Sequence, residues 1–76
     1  MTTAARADIV ANVWKIVVRE GDPVAAGDEL AVLETMKMEI PVIAPSGGHV
    51  VRICVEEGQI VQEGDPVVEI DGTPGA

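Results

Sequence analysis

Val13-Trp14-Lys15-Ile16-Val17-Val18-Arg19-Glu20-Gly21 returns 37 residues later as Val50-Val51-Arg52-Ile53-Cys54-Val55-Glu56-Glu57-Gly58. The same offset lays Val24 on Val61, Gly27-Asp28 on Gly64-Asp65, Leu30 on Val67 and Leu33 on Ile70. Each half therefore reads Val-x-x-Ile-x-Val-x-Glu-Gly-x-x-Val-x-x-Gly-Asp-x-(Leu/Val). The longest identical string, Glu-Gly-Asp-Pro-Val at 20–24 and 63–67, needs an offset of 43 and aligns little else. The glycines after Glu20 and Glu57 suit turns that require positive φ, and Gly-Asp supplies a second turn in each half. The β-branched runs between the turns have strand length. Two copies are too few for a solenoid. The pattern predicts an all-β fold: a flattened sandwich of two four-stranded antiparallel sheets, with the halves related by a pseudo-twofold and sharing one interior.

Composition narrows the functions such a fold could serve. The 76 residues make one domain, close to the size at which a core alone becomes marginal. Its apolar residues are mainly Val, Ile and Ala, with one Trp and no Phe or Tyr, which favours sheet over helix. Every buried side chain is needed to close so small a core, so no deep pocket is expected and a complete active site would be hard to house. The net charge of -8 argues against nucleic acid, whose phosphates require Lys and Arg, and against an anionic membrane. It serves solubility, and adds steering toward a basic cleft on a partner. Cys54 is the only cysteine, which leaves neither an internal disulfide nor a metal quartet. The first eight residues lack the apolar stretch of a secretory signal, and no apolar run approaches the roughly 20 residues that span a bilayer. The reading is a reducing, cytoplasmic location and a monomer.

Along the chain, residues 1–7 read as a frayed tail, 8–71 as the domain and 72–76 as a second tail. Asp8–Ala11 is expected as the first strand. Val13–Arg19 is expected as the second, with Trp14, Ile16 and Val18 on one face and Trp14 packed at the edge of the core. A brief strand around Val24 precedes a longer one at Glu29–Glu34. Met38–Ala44 follows, with Pro41 marking it as an edge. His49–Val55, a short Gln59–Val61 and Pro66–Ile70 complete the set, with almost no helix.

In this layout the repeat boundary falls in Glu34-Thr35-Met36-Lys37-Met38-Glu39, where a tight turn must join one half to the other. Two-residue hairpin turns favour Asn-Gly or Asp-Gly, because both central residues take positive φ. Met and Lys are poor choices there, while the other turns of the chain use Gly, Asp or Pro. A turn that breaks the rule its neighbours obey points to function. The other chemically capable residues read more plainly. His49 has no partner for a triad or a metal site and reads as a surface strand residue. Cys54 reads as a packed or half-buried thiol. Glu34 and Glu39 read as solvated hairpin charges that orient a partner rather than as a catalytic pair. No catalytic residue and no metal ligand is assigned.

Glu34-Thr35-Met36-Lys37-Met38-Glu39 resembles the attachment motif of biotinyl carrier domains, in which the lysine of a Met-Lys-Met or Met-Lys-Leu core is amidated by biotin. The resemblance covers residues 8–71. Gly21-Asp22, Gly27-Asp28, Leu30 and Leu33-Glu34 look like the family's first half. Ala44-Pro45, Gly48-His49-Val50, Ile53, Val55, Gly58, Val61 and Gly64-Asp65 look like its second. The chain is most similar to free-standing biotin/lipoyl attachment proteins, and the resemblance implies the hammerhead type of biotinyl/lipoyl fold. Thr35 stands where the family most often has Ala, and Ala11-Asn12 replaces a Pro/Gly-rich loop. Val13–Val18 runs through without the protruding thumb that some acetyl-CoA carboxylase carriers insert.

The resemblance implies a biotin carboxyl carrier protein rather than an enzyme, with biotin on Lys37 as a swinging arm for a biotin-dependent carboxylase or decarboxylase. Its partners would be a biotin-protein ligase and the biotin carboxylase and carboxyltransferase subunits. Met36 and Met38, with Thr35, Glu34 and Glu39, would be the residues those partners read. The sister lipoyl domains carry Asp-Lys-Ala or Asp-Lys-Val at the same hairpin, so the methionines favour biotin over a lipoylated carrier. A third alternative is an unmodified interaction module of the same fold.

Overall fold

The β-branched runs become eight short strands. The computed structural model describes residues 2–72. In chain order the strands are β1 (Thr2–Arg6), β2 (Ala11–Ile16), β3 (Pro23–Val24), β4 (Glu29–Thr35), β5 (Met38–Ile43), β6 (Gly48–Ile53), β7 (Ile60–Val61) and β8 (Pro66–Asp71). Adding 37 to the bounds of β1–β4 reproduces those of β5–β8 to within one residue. No helix occurs among the described residues.

The two halves interlace instead of forming one sheet each. One antiparallel sheet has the order β1-β8-β6-β3 and the other β5-β4-β2-β7, so each takes two strands from either half. The 37-residue offset converts the first order into the second strand by strand. Backbone hydrogen bonds repeat the operation. The Gly21 N–H donates to the Val50 carbonyl and the Gly58 N–H to the Val13 carbonyl, both at 2.7 Å. The Val50 N–H returns a bond to the Asp22 carbonyl at 2.8 Å, and the Val13 N–H to the Gln59 carbonyl at 2.7 Å. Each Glu-Gly turn is thus stitched to the other half, with φ of 94° at Gly21 and 90° at Gly58, a region where a Cβ is penalised. The result is elongated, 42 × 18 × 18 Å, with Leu30, Leu33, Val50, Val61, Val67 and Ile70 fully buried between the sheets.

The sheets bend at four places where one strand carries an extra residue, and these too come in offset pairs. The register skips Trp14 in β2 and Val51 in β6, and Leu30 in β4 and Val67 in β8. A bulge of this kind breaks the two-residue alternation. It explains why the expected shared face of Trp14, Ile16 and Val18 is not found. Val13 takes the core position, Ile16 and Val18 pack against the core after the bulge, and Trp14 is 47% exposed.

The N-terminal reading is also corrected. Residues 2–6 are not a frayed tail but β1, paired with β8 from Thr2↔Asp71 to Arg6↔Pro66, with Ala5 buried. The stretch expected as the first strand is instead a bend over Asp8–Val10, and Ile9 and Val10 are exposed. An alanine-rich segment of low strand propensity is held in the sheet by the partner it pairs with. The expected tail at 72–76 lies, apart from Gly72, outside the described residues. Pro41 does sit on an edge strand, since β5 ends its sheet. The connection from β2 to β3 carries no inserted thumb.

Candidate functional site

Strands β4 and β5 form a hairpin whose last rung is Thr35↔Met38, leaving Met36 and Lys37 as a two-residue turn. Such a turn matches the twist of the strands only when both central residues are left-handed. Met36 has φ 46° and Lys37 φ 69°, and they are the positive-φ non-glycine residues among those described. That conformation costs an L-residue on the order of 1–2 kcal/mol. The tip is therefore held in a conformation its own residues resist.

What holds it is the root. Two rungs below the tip, Leu33↔Ile40 turns inward, with Leu33 fully buried and Ile40 packed against the core. Alternation puts Glu34 and its direct partner Glu39 on the outer face, both exposed. Thr35 is half-buried at the rim. Met36 is 91% and Met38 59% exposed, an unusual display of two large thioether side chains, and Lys37 is exposed between them. No hydrogen bond or ion pair ties the Lys37 ammonium to the described residues. The tip can thus offer an amine and two adaptable apolar contacts to an incoming surface.

A cleft of roughly 240 Å³ opens between β1 and β5, lined by Ala4, Arg6, Leu33, Ile40, Val42 and Pro45, below the roughly 300–1,000 Å³ of small-molecule sites. None of Thr35 to Met38 lines it. No group of His, Cys, Asp and Glu among the described residues could hold a metal ion. His49 is half-buried on β6, opposite Pro23 and Asp71. Cys54 is half-buried, and its thiol donates to Glu69 Oε2 at 3.6 Å. Burial, and then the Glu69 carboxylate, push that thiol above its ordinary value, which makes it a poor nucleophile. Sequence reasoning missed the role of Glu20 and Glu57. Each carboxylate accepts a backbone N–H from the opposite half, Ile53 at 3.3 Å and Ile16 at 3.0 Å.

A pseudo-twofold sandwich with one strained, exposed lysine turn is a domain that displays a side chain at a hairpin tip. The chain belongs to the biotin/lipoyl attachment family, whose model, described as "Biotin-requiring enzyme", matches residues 1–70. It is 47% identical to the "Biotinylated protein TB7.3 homolog" of Mycobacterium leprae over 92% of this chain and 99% of the relative. It is 44% identical to the "Biotin/lipoyl attachment protein" of Bacillus subtilis over 82% of this chain and 85% of that one. Among solved structures, a single-chain, multi-domain long-chain acyl-CoA carboxylase superposes with a TM-score of 0.86 at 38% identity. That match covers 95% of this chain but only 7% of the carboxylase.

Proposed function

We propose that this protein is a biotin carboxyl carrier, with biotin joined through an amide to Lys37. The observation that carries the reading is the Met36-Lys37 turn: two non-glycine residues in left-handed backbone at the exposed tip of the β4–β5 hairpin. The names of the relatives support biotin as the cargo, and the likeness to a carboxylase domain supports a carboxylase as the system served.

The neutral Lys37 amine attacks the carboxyl carbon of biotin activated as an adenylate on a ligase. An amide bond forms, AMP leaves, and the proton lost by the nitrogen passes to solvent. The lysine charge disappears, so the net charge of -8 becomes one unit more negative. Attached biotin supplies the carboxyl-transfer chemistry, and the protein supplies position and reach. The root rungs fix where the arm starts, and no hydrogen bond or ion pair to the described residues ties down the Lys37 ammonium. Biotin carboxylase and carboxyltransferase subunits are the proposed partners beside the ligase, and tethering sets the effective concentration at each. The protein works in the reducing cytoplasm as a monomer, in keeping with its single half-buried thiol and high charge.

Co-expression with a biotin-protein ligase, followed by streptavidin blotting and intact mass, tests the reading. One biotin is expected on the wild type and on Lys15→Arg, and none on Lys37→Arg. Added mass without streptavidin binding would transfer the proposal to a lipoylated carrier, and no added mass would end both.

A further inference from the structure

The pseudo-twofold provides an internal control for the surface, because every outward position on one sheet has a counterpart on the other. On the hairpin-bearing sheet one row across the strands is Pro41–Val32–Lys15, read from β5 through β4 to β2. The counterpart row on the second sheet is Ala4–Glu69–Arg52. The second row is charged at its centre, with half-buried Glu69 directly opposite exposed Arg52. In the first row Val32 replaces Glu69, and it is only 8% exposed although it stands outside the core cluster. Its cover therefore comes from neighbours on the outer face.

Those neighbours are larger apolar residues than their counterparts. Trp14, bulged out beside Lys15, is 47% exposed, and a smaller Val51 holds the matching bulge. Val17, 45% exposed, matches Cys54, whose thiol touches Glu69, so the pseudo-twofold sets Val17 beside Val32. Pro41, exposed, matches Ala4. An apolar patch of Trp14, Val17, Val32 and Pro41 thus covers the sheet that carries the lysine, whereas on the other sheet Glu69 puts a charge at the centre of the matching positions. Between the patch and the Lys37 turn lies the rung Glu34↔Glu39, two like charges directly opposed, an arrangement that costs stability.

We infer that this outer face, centred on Trp14 and Val32, is the docking surface for the biotin-protein ligase. The inference rests on Lys37 being the biotinylated residue. The occupant follows from charge and continuity. A second copy would set one chain of net charge -8 against another, and an anionic membrane would repel it likewise. A surface that offers an apolar contact for Trp14 and a cationic side chain for the Glu34–Glu39 rung satisfies both features. Glu34 and Glu39 are on the strands that end in the Lys37 turn, so one approach engages the patch and brings the amine to the activated biotin. Exposed apolar patches with a polar rim mark such contacts, and Trp is among the residues enriched at their energetic centres.

The test grafts the control face onto the docking face: Trp14→Val and Val32→Glu, each installing the residue of the counterpart position. The graft is expected to fold, since Glu at 32 faces Lys15 as Glu69 faces Arg52, and circular dichroism checks this. Steady-state biotinylation by the ligase should show KM raised about tenfold per substitution with kcat little changed. Val51→Ser on the other sheet should match the wild type. Added salt should raise KM for the wild type more than for Glu34→Gln/Glu39→Gln. Folded Trp14→Val and Val32→Glu proteins with wild-type KM would overturn the inference, as would an equal loss in Val51→Ser. A wild type that takes up no biotin would instead remove the attachment reading, and this inference with it.

Discussion

The Glu57 carboxylate accepts the backbone N–H of Ile16, 41 residues earlier, at 3.0 Å, and Glu20 does the same for Ile53 at 3.3 Å. Each bond lies just beyond a bulge, where β2 has run past the end of β7, paired only at Ala11 and Asn12, and β6 past the end of β3, paired only at Gly48 and His49. The carboxylates thus stand in for strand pairing that β7 and β3 are too short to supply, and they cross between halves. Glu57→Ala should lower stability by about 1 kcal/mol, with Glu57→Gln losing less because its amide oxygen still accepts. The longer 3.3 Å bond should make Glu20→Ala the milder change. Urea denaturation midpoints check the order, and equal midpoints for all three variants would discard this role.

The lysine turn should trade stability for function. Met36→Asn with Lys37→Gly restores the residues a two-residue hairpin prefers and relieves left-handed strain at both positions. The double variant should be more stable by about 2 kcal/mol, a rise of several degrees in melting temperature, and should take no biotin. Met36→Asn alone should give about half the gain while keeping the amine. A melting temperature at or below wild type would mean that the turn is not strained.

Much of this was legible in the chain itself. The 37-residue offset carries the pairing of the halves, and the mismatch of Met-Lys with a hairpin turn carries the site. The bulge was legible too. In Val-x-x-Ile-x-Val the gap from Val13 to Ile16 is three residues, which strict alternation cannot produce, yet alternation placed Trp14 with Ile16. Strand β1 escaped because Thr-Thr-Ala-Ala-Arg has little strand character. Extending the offset backwards lays it on Glu39–Ile43, within β5, and that signal would have found it. The interlacing of the halves and the reach of Glu20 and Glu57 depend on how the strands fold over one another, which no local pattern encodes.

Gly48 and Gly47 should respond oppositely to the same change. A Cβ on Gly48, where φ is 155°, would collide with the carbonyl oxygen of Asp71 in β8. A Cβ on Gly47 would meet its nearest atom, the Val24 carbonyl oxygen, at an ordinary 3.5 Å. Gly48→Ala must separate β6 from β8 and should cost about 3 kcal/mol, a large part of what a domain of this size holds. Gly47→Ala should stay within about 0.5 kcal/mol of wild type. Thermal unfolding of the two variants side by side makes the comparison, and similar losses would show that the close approach to Asp71 does not set the need for glycine at 48.

Cys54 offers a probe of the control face. Burial first, then the bond and charge of Glu69, hold its thiol protonated above the usual range, so less thiolate is present at a given pH. At pH 8 the native protein should alkylate with iodoacetamide several-fold more slowly than the same protein in urea. Glu69→Gln removes the negative charge but leaves the burial and an acceptor, so it should recover part of that difference. The rate should also rise with pH along a curve displaced upward from that of the unfolded chain, and Glu69→Gln should shift the curve back down. A native rate equal to the unfolded one would show the thiol to be freely solvated. A Glu69→Gln protein no faster than wild type would leave burial as the whole cause.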